Sequence, residues 1–412
     1  MDYNQIGMFQ TEKTEYLTEQ IITYIGNKRA LLSFIGTAVE EVKRELSKDK
    51  LDIVDMFSGS GIVSRFMKRH SKSLYVNDLE DYSETISRCY LANTEDVDAE
   101  ALEKYYSSVK DELNNKPLRS GFIAEMYSPK DDRNIRPGER AFYTARNAKY
   151  IDTARQLIEE VREPYKTYLL APLLYEASVH NNTSGVFKGF YKNSKTGIGQ
   201  YGGDGRNALV RILGDIELQM PIFSNFSCGV NIYKKDANEL AAELPEVDLA
   251  YLDPPYNQHP YGSNYFMLNL INNYRQPEEV SRVSGIPVAW NKSQYNTKSL
   301  SKKSMSDLCS KLKAKYLLIS FSSDGFIQKD EMLEMLSELG DVKVLNKEYN
   351  TFRGCRNLNN RDIYIKEYLF MVKNRRFANI SNTNGGNQNG KIQDRIRPAG
   401  ADRRSKTDRR AS

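Results

Sequence analysis

The chain has 412 residues, of which 40% are hydrophobic, enough for a sizeable core in two or three structural units. It has no run of about 18 apolar residues, and Met1 to Gln10 lack the basic-then-apolar order of a signal peptide, so we expect a soluble cytoplasmic protein of a bacterial or archaeal cell, with no membrane partner. Four scattered cysteines and three histidines without CxxC spacing indicate neither a disulfide framework nor a metal site.

The net charge of +5 is concentrated at the end of the chain. Ten basic and three acidic residues between Arg375 and Ser412 give that segment +7, which leaves about −2 for the part before it. The asparagine- and glycine-rich stretch at 382–390 lacks the apolar residues of a core and predicts disorder. This basic tail either samples DNA weakly or only solvates the protein, and the sequence leaves both open.

The first elements alternate between helix and strand. Apolar residues at helical spacing predict helices at 22–46, 62–69 and 82–92, and short apolar runs predict strands at 51–57 and 72–76. Strands separated by helices indicate a parallel sheet, with a glycine-rich turn after its first strand.

The sheet pattern then stops for about 140 residues. The pattern is mainly helical from 95 to 228, most clearly at 140–162 and 164–180, and the sequence becomes rich in glycine, asparagine and lysine at 181–207. Strand patterns resume at 230–233, 248–252 and 316–321, and the last two, at 342–349 and 364–373, predict a hairpin. We therefore divide the chain into 1–94, an inserted region at 95–228, 229–374, and the tail at 375–412.

Two loops after predicted strands carry candidate ligand-binding residues. The segment Asp55–Gly61 has two glycines that let the backbone approach a ligand closely, although an ordinary strand-to-helix turn would use the same residues. The sequence has neither GxGxxG nor GxxxxGK[ST], which argues against NAD and against a P-loop. Asp78 ends the next strand, where an acidic residue takes ribose hydroxyls, and the alternative is a surface aspartate.

Two weaker candidates lie elsewhere. Asp236 and Ala237 offer a carboxylate and a backbone N–H to an adenine ring, although Asp236 would serve equally as a helix N-cap. Lys28 could meet a carboxylate of a ligand or be a solvated lysine.

The most specific motif is Asp253-Pro254-Pro255-Tyr256, directly after the apolar run 247–252. A buried strand that ends in two prolines places these residues in the crevice where open α/β sheets bind ligands. The carboxylate of Asp253 and the carbonyl of Pro254 can both accept hydrogen bonds from an exocyclic amine, and Tyr256 offers a flat face to a base taken out of its stack. The alternative is a strand end with a capped turn.

Together these segments resemble the alpha group of adenine-specific DNA methyltransferases, the DNA adenine methylase family. The resemblance covers Tyr24 to about Lys373 and rests on the DPPY motif and the order of the segments. It implies a Rossmann-like methyltransferase fold, a mixed seven-stranded sheet with an inserted, mainly helical target-recognition domain. A departure is the spacing Tyr24-Ile25-Gly26-Asn27-Lys28, where many members have a second glycine before the lysine.

The resemblance implies transfer of a methyl group from S-adenosyl-L-methionine to N6 of a flipped adenine in double-stranded DNA, within a restriction-modification system. We also expect a monomer, and a cognate endonuclease, whose existence the sequence leaves open, would act separately. The segment Asp253–Tyr256 would hold the adenine. Tyr24, Lys28, Asp78 and Asp253 would contact the cofactor, and Phe57, Gly59 and Gly61 would shape its pocket. The predicted cofactor site also includes Gly26, Asp55, Asp236 and Ala237.

Candidate DNA contacts follow from position and composition. A glycine-rich stretch that interleaves aromatic and basic residues supplies Lys188, Lys192 and Lys195, and the arginines after it are Arg206 and Arg211. Loops expected on the same sheet edge supply Tyr261, Asn264, Arg353 and Arg356. Ordinary solvated loops would have the same composition.

Other functions use a similar fold or chemistry. Methyl transfer to cytosine N4 needs the same acceptors, although a serine in place of Asp253 is commoner in that group. An RNA or protein-glutamine methyltransferase, or a non-catalytic DNA-binding regulator, are the remaining alternatives.

Overall fold

A computed structural model describes residues 11–350 and 364–378. The central element is a sheet of seven strands, in the order β3-β2-β1-β4-β5-β7-β6. The strands are β1 Leu51–Asp55, β2 Ser71–Asp78, β3 Gly229–Lys234, β4 Val247–Leu252, β5 Ala314–Ser322, β6 Gly340–Asn350 and β7 Tyr364–Asn374.

The first five strands are parallel, and β7 runs antiparallel to both β5 and β6. In the register, Asp55 of β1 lies opposite Val76 of β2 and Tyr251 of β4. The carboxyl ends of β1, β2 and β4 are therefore neighbours at one edge of the sheet, where ligands bind in open α/β folds. The predicted mixed seven-stranded sheet is confirmed.

Helices connect and surround these strands. Three short 3-10 helices cover Lys28–Leu31, Thr94–Asp96 and Gln294–Asn296. The α-helices are α1 Thr14–Thr18, α2 Leu32–Leu46, α3 Ile62–Lys68, α4 Asp81–Tyr90, α5 Ala99–Asn115, α6 Phe122–Tyr127, α7 Ala145–Glu159, α8 Tyr165–Val179, α9 Leu209–Leu213, α10 Ala237–Glu243, α11 Tyr261–Asn264, α12 Phe266–Asn273, α13 Lys298–Lys311, α14 Lys329–Ser337 and α15 Arg375–Ala378.

The central strands β1, β4 and β5 are buried on both faces of the sheet, and successive side chains of each strand point to opposite faces. Ile53 packs on one face with apolar residues of α2 and α3. Val54 packs on the other face with those of α10, α13 and α14. Such two-sided burial explains why β4 and β5 are mainly apolar, whereas β3, at the edge of the sheet, alternates between half-buried and exposed residues.

The inserted region builds a separate core of helices. Buried residues of α5, α7 and α8 pack together with those of α4 and α12. The described residues up to Ala378 form one compact unit, so the boundaries at 94, 228 and 374 stay predictions. In the described ranges we find no helix long and apolar enough to cross a bilayer.

Two helix starts differ from the sequence prediction. The helix predicted from Ile22 begins at Leu32, after a 3-10 turn, because Gly26 at φ +75° interrupts the regular backbone. The helix predicted from Arg140 begins at Ala145, because the Thr144 side chain caps it by accepting from the Asn147 N–H.

Candidate functional site

A cavity that is partly open to solvent lies at the shared carboxyl edge of β1, β2, β3 and β4, with about 880 Å³ of space when its open part is included. Segments that are far apart in sequence meet there because the parallel strands end at the same edge. Of the predicted ligand-binding residues, the cavity is lined by Tyr24, Gly26, Lys28, Phe57, Gly59, Asp78, Asp236, Ala237, Asp253 and Pro255.

The glycine loop after β1 forms the floor of this cavity. Gly59 has φ +52°, and a Cβ atom there would lie 2.9 Å from the Tyr24 ring, so only glycine fits without displacing the ring. The Gly59 N–H donates to a carboxylate oxygen of Asp78 at 2.7 Å. The loop is therefore held by the acid at the end of the next strand.

Tyr24 belongs to a group of three nearly parallel rings. Its centroid lies 4.9 Å from that of Tyr261 and 4.6 Å from that of Tyr265. The Ile25 N–H donates to the Tyr265 hydroxyl, and the Tyr261 hydroxyl donates to the Ile25 carbonyl. These contacts fix the segment before Lys28 against the residues that follow Asp253–Tyr256.

Acidic groups line the end of the cavity at β2 and β3. Burial raises the pKa of Asp78, although backbone N–H groups such as that of Gly59 oppose the shift. Burial, followed by the charge of Asp78, raises the pKa of Glu80 to about 7. Asp236 caps α10 by accepting from the N–H groups of Asn238 and Glu239, and it also lines the cavity. The N-cap interpretation of Asp236 is therefore confirmed, and its contact with an adenine ring stays a prediction.

Lys28 is not the solvated lysine that the sequence left open. It is 2% exposed, and its Nζ lies 2.7 Å from a carboxylate oxygen of Glu367 and 3.2 Å from one of Asp253. Burial alone would lower the pKa of Lys28, but these two carboxylates raise it well above its ordinary value. Lys28 is therefore a buried cation between two acids.

The segment Asp253–Tyr256 leaves β4 at the cavity. Burial, opposed by Lys28 and reinforced by Glu367, raises the pKa of Asp253 to about 7. The Tyr256 ring meets the Phe321 ring edge to face, with centroids 5.8 Å apart. The backbone carbonyl of Tyr256 accepts a hydrogen bond from the Phe326 N–H. Pro254 and Tyr256 are not among the residues that line the cavity within the described ranges.

Two predicted cofactor residues lie under the cavity rather than in its lining. Asp55 is fully buried, accepts from the Ser64 hydroxyl at 2.6 Å, and has a pKa raised to about 7 by burial. Gly61, at φ +75°, occupies the turn that begins α3. Both shape the glycine loop from below.

Three predicted DNA contacts need correction. Tyr261 lines the cavity and stacks on Tyr24, because α11 folds back over the segment that precedes Lys28. Asn264 is 2% exposed, packed inside the same short helix. The Arg211 guanidinium donates to three backbone carbonyls, those of Val179, Asn181 and Thr183, so its role is to hold the loop together.

The remaining predicted DNA contacts of the insert lie on an irregular stretch with an isolated bridge between Lys192 and Gly199. Lys195 and Arg206 are exposed. The Lys188 Nζ lies 3.4 Å from a ring nitrogen of His259, which connects the insert to the catalytic segment. Arg353 and Arg356 lie outside the described residues.

A further segment, which precedes α13 in the sequence, also lines the cavity. Asn291 donates to the Leu79 carbonyl and to Glu80. The Tyr295 ring meets Phe57 edge to face, and Asn296 donates to the Asn257 carbonyl at 2.7 Å. No local pattern marks these residues, since their partners are distant in sequence.

Comparison with known proteins agrees with this geometry. A model of D12 class N6 adenine-specific DNA methyltransferases matches residues 24–335. The type II methyltransferase M.NlaIII of Neisseria lactamica is 29% identical over 85% of this chain and 99% of its own length. M.CviAII of Paramecium bursaria Chlorella virus 1 is 30% identical over 85% of this chain and 98% of its own length. M.FokI of Planomicrobium okeanokoites is 26% identical over 90% of this chain and 55% of its own length.

Proposed function

The chain belongs to the D12 class of N6 adenine-specific DNA methyltransferases, and on that premise we propose that S-adenosyl-L-methionine fills the cavity and that Asp253–Tyr256 holds the target adenine. Membership of the class gives methyl transfer to DNA adenine as the activity. It also decides against the N4-cytosine and regulator alternatives. We further propose the identity of the cofactor, the residues that bind it and the adenine, and double-stranded DNA as the substrate.

The lining of the cavity fits this cofactor in chemical terms. Asp78, with Glu80 beside it, offers acceptors to ribose hydroxyls, and Asp236 with the Ala237 N–H suits an adenine ring. An ammonium has three donors, so Lys28 retains a further N–H for a ligand carboxylate besides its two acidic partners. When bound, the cofactor supplies a methyl group on a sulfonium centre.

The protein's part in the reaction is to position and activate a poor nucleophile. The lone pair of the adenine N6 is delocalised into the ring, and hydrogen bonds to Asp253 and to the Pro254 carbonyl localise it as the nitrogen becomes tetrahedral. Asp253 then accepts the N6 proton, which becomes acidic only as the new bond forms. Removing the base from its stack costs a few kcal/mol, and stacking on Tyr256 offsets part of that cost.

The wider assignment follows the relatives. Several are named type II methyltransferases or modification methylases. We place this enzyme in a restriction-modification system, as a cytoplasmic monomer that acts on double-stranded DNA beside a separate endonuclease. The target sequence depends on which side chains reach base edges and on DNA shape.

The observation that carries the proposal is that Lys28, Asp78, Asp236 and Asp253, spread over more than half of the chain, line one cavity. Calorimetric titration tests it. We expect S-adenosyl-L-methionine to bind with one site per chain, while ATP and NAD, matched adenine nucleotides, do not bind. Failure to bind S-adenosyl-L-methionine, or equal binding of ATP, would overturn the cofactor assignment.

A further inference from the structure

Lys28, Asp253 and Glu367 form an ion cluster, and the methyl-transfer reaction described above uses Asp253 but not Glu367. Lys28, Asp253 and Glu367 have side chains that are 3%, 17% and 1% exposed. One cation thus faces two carboxylates away from water, an arrangement in which each charge is strongly felt by the others. Glu367 lies on β7, outside the Asp253–Tyr256 motif and beyond residues 24–335, which match the methyltransferase class.

Geometry gives Glu367 the stronger hold on Lys28. Its carboxylate oxygen lies 2.7 Å from Nζ, compared with 3.2 Å for the oxygen of Asp253. The same Glu367 oxygen also accepts from the Ser320 hydroxyl, and Ser320 is 1% exposed on the neighbouring strand β5. Two adjacent strands therefore fix Glu367 in place, and through it the ammonium of Lys28.

The positive charge of Lys28 affects how readily Asp253 accepts the proton that leaves N6. In the reaction the N6 lone pair forms the C–N bond, the C–S bond breaks with its electron pair left on sulfur, and one N6 proton passes to a carboxylate oxygen of Asp253. An ammonium paired with Asp253 alone would make that carboxylate a weaker base. Glu367 opposes this effect.

We propose that Glu367 is a positioning residue for methyl transfer, which holds and neutralises Lys28 so that Asp253 remains able to accept the proton released by the amine. This proposal rests on the function proposed above. Glu367 acts through Lys28 and does not itself need to touch the substrate.

Other titratable groups also face Asp253. They are Lys28 before α2, Asp55 of β1, Tyr251 of β4, Tyr256 after β4, Tyr261 of α11 and Glu367 of β7. Removing the Glu367 charge replaces none of these other groups, and its effect on Asp253 is direct or passes through Lys28, whose pKa Glu367 helps to raise. A shift in the titration of the rate can then be assigned to the loss of that charge.

Glu367→Gln tests the proposal, because glutamine keeps the size and the acceptor oxygen but removes the charge. We expect the plateau of the single-turnover methylation rate to fall about three- to tenfold, since a weaker base transfers the proton less readily. We expect the acid limb of the pH–rate profile to move to lower pH, because a carboxylate that loses a negative neighbour is easier to ionise. Calorimetric affinity for S-adenosyl-L-methionine should change less than about threefold.

Glu367→Asp restores the charge and should return the midpoint of the acid limb towards that of the wild type. Glu348→Gln is the matched control, because Glu348 is an exposed acid on β6, paired with Lys366, and should leave the profile unchanged. An unchanged midpoint in Glu367→Gln, or one moved to higher pH, would refute the role. If Glu367→Gln does not fold, the profile of Ser320→Ala decides, and an unchanged plateau and midpoint there would count against the proposal. Absence of methylation by the wild-type protein would instead refute the proposed function.

Discussion

At the scale of single residues, Asp253 is the proposed acceptor in methyl transfer, and the side chains of Lys28 and Glu367 form one buried ion cluster with it. The sequence identified Asp253 because two prolines and a tyrosine follow it within one short motif. It did not indicate Glu367, since the contact between Lys28 and Glu367 spans 339 positions and depends on β7 pairing with β5. Local patterns thus point to Asp253 and Lys28 but not to Glu367, whose contact with them depends on strand pairing.

Replacing Asp253 by alanine should reduce methyl transfer by at least about a hundredfold, because a preorganised acceptor for the developing charge is removed. The fold should survive, since Lys28 keeps its pair with Glu367 at 2.7 Å. Single-turnover kinetics and thermal unfolding measure the two effects. Asp341→Ala, an exposed acid on β6, is the control. Turnover near that of the wild type in Asp253→Ala would remove Asp253 from the mechanism.

Replacing Asp78 by alanine should weaken S-adenosyl-L-methionine binding by about 1 to 3 kcal/mol, because the ribose hydroxyls no longer meet a charged acceptor. Asp78 also accepts from the Gly59 N–H, so Asp78→Asn, which keeps one carbonyl oxygen, should lose less affinity. Calorimetry compares both with Glu84→Ala, an acid on the outer face of α4 that is paired with Arg88. Unchanged affinity in both Asp78 variants would leave Asp78 with a structural role only.

At the scale of elements, the strands and their sequence order were predicted with end points within a few residues, because apolar runs bounded by polar loops are a strong local signal. The position of α11 was not predicted. Its residues Tyr261 and Asn264 looked like a polar loop, yet Tyr261 is half-buried and stacks on Tyr24, and Asn264 is buried in the same short helix. Tertiary packing over a distance of more than 200 residues decided that outcome.

The glycine loop after β1 yields a test at this scale. Gly59→Ala should destabilise the fold by about 1 to 3 kcal/mol, because it combines a positive φ with a Cβ only 2.9 Å from the Tyr24 ring. Gly138→Ala is the matched control, since Gly138 also has a positive φ, of +90°, but has nothing within 4 Å of its Cβ position. Chemical denaturation and calorimetry should show the larger loss of stability, and the loss of cofactor binding, in Gly59→Ala alone. Equal losses in both variants would mean that the contact with Tyr24 has no effect.

At the scale of the whole molecule, the insert and the catalytic half are physically connected. The Phe187 N–H donates to the Asn264 carbonyl at 2.7 Å, and Lys188 contacts His259. If the loop that contains Lys188 contacts DNA, it is therefore joined directly to the segment that follows Asp253–Tyr256, the proposed binding site of the target adenine. Which side chains reach the DNA could not be predicted from composition, because Arg211 looked equally suitable and serves the protein's own backbone.

If Lys188, Lys192 and Lys195 touch phosphates, their replacement by alanine should weaken binding to all duplexes alike. The slope of log K against log salt should fall by about 0.9 for each phosphate that is no longer neutralised. If one of these lysines reads a base edge, preference at one position should relax by about 1 to 3 kcal/mol. Binding titrations across salt concentrations measure both, with Lys302, Lys311 and Lys343, exposed lysines outside the insert, replaced as the control. If DNA affinity, salt slope and base preference are all unchanged in the triple variant, the loop that contains these lysines has only a structural role.

The methyl-transfer function is tested most directly by incubating the protein with duplex DNA and S-adenosyl-L-methionine tritiated at the methyl group, then separating the nucleosides of the digested DNA. We predict that the label appears in N6-methyl-2′-deoxyadenosine with the wild-type protein and is at least about a hundredfold slower to appear with Asp253→Ala. Label in N4-methylcytosine, no transfer to DNA, or equal transfer by Asp253→Ala would contradict this function and the role of Asp253 in it.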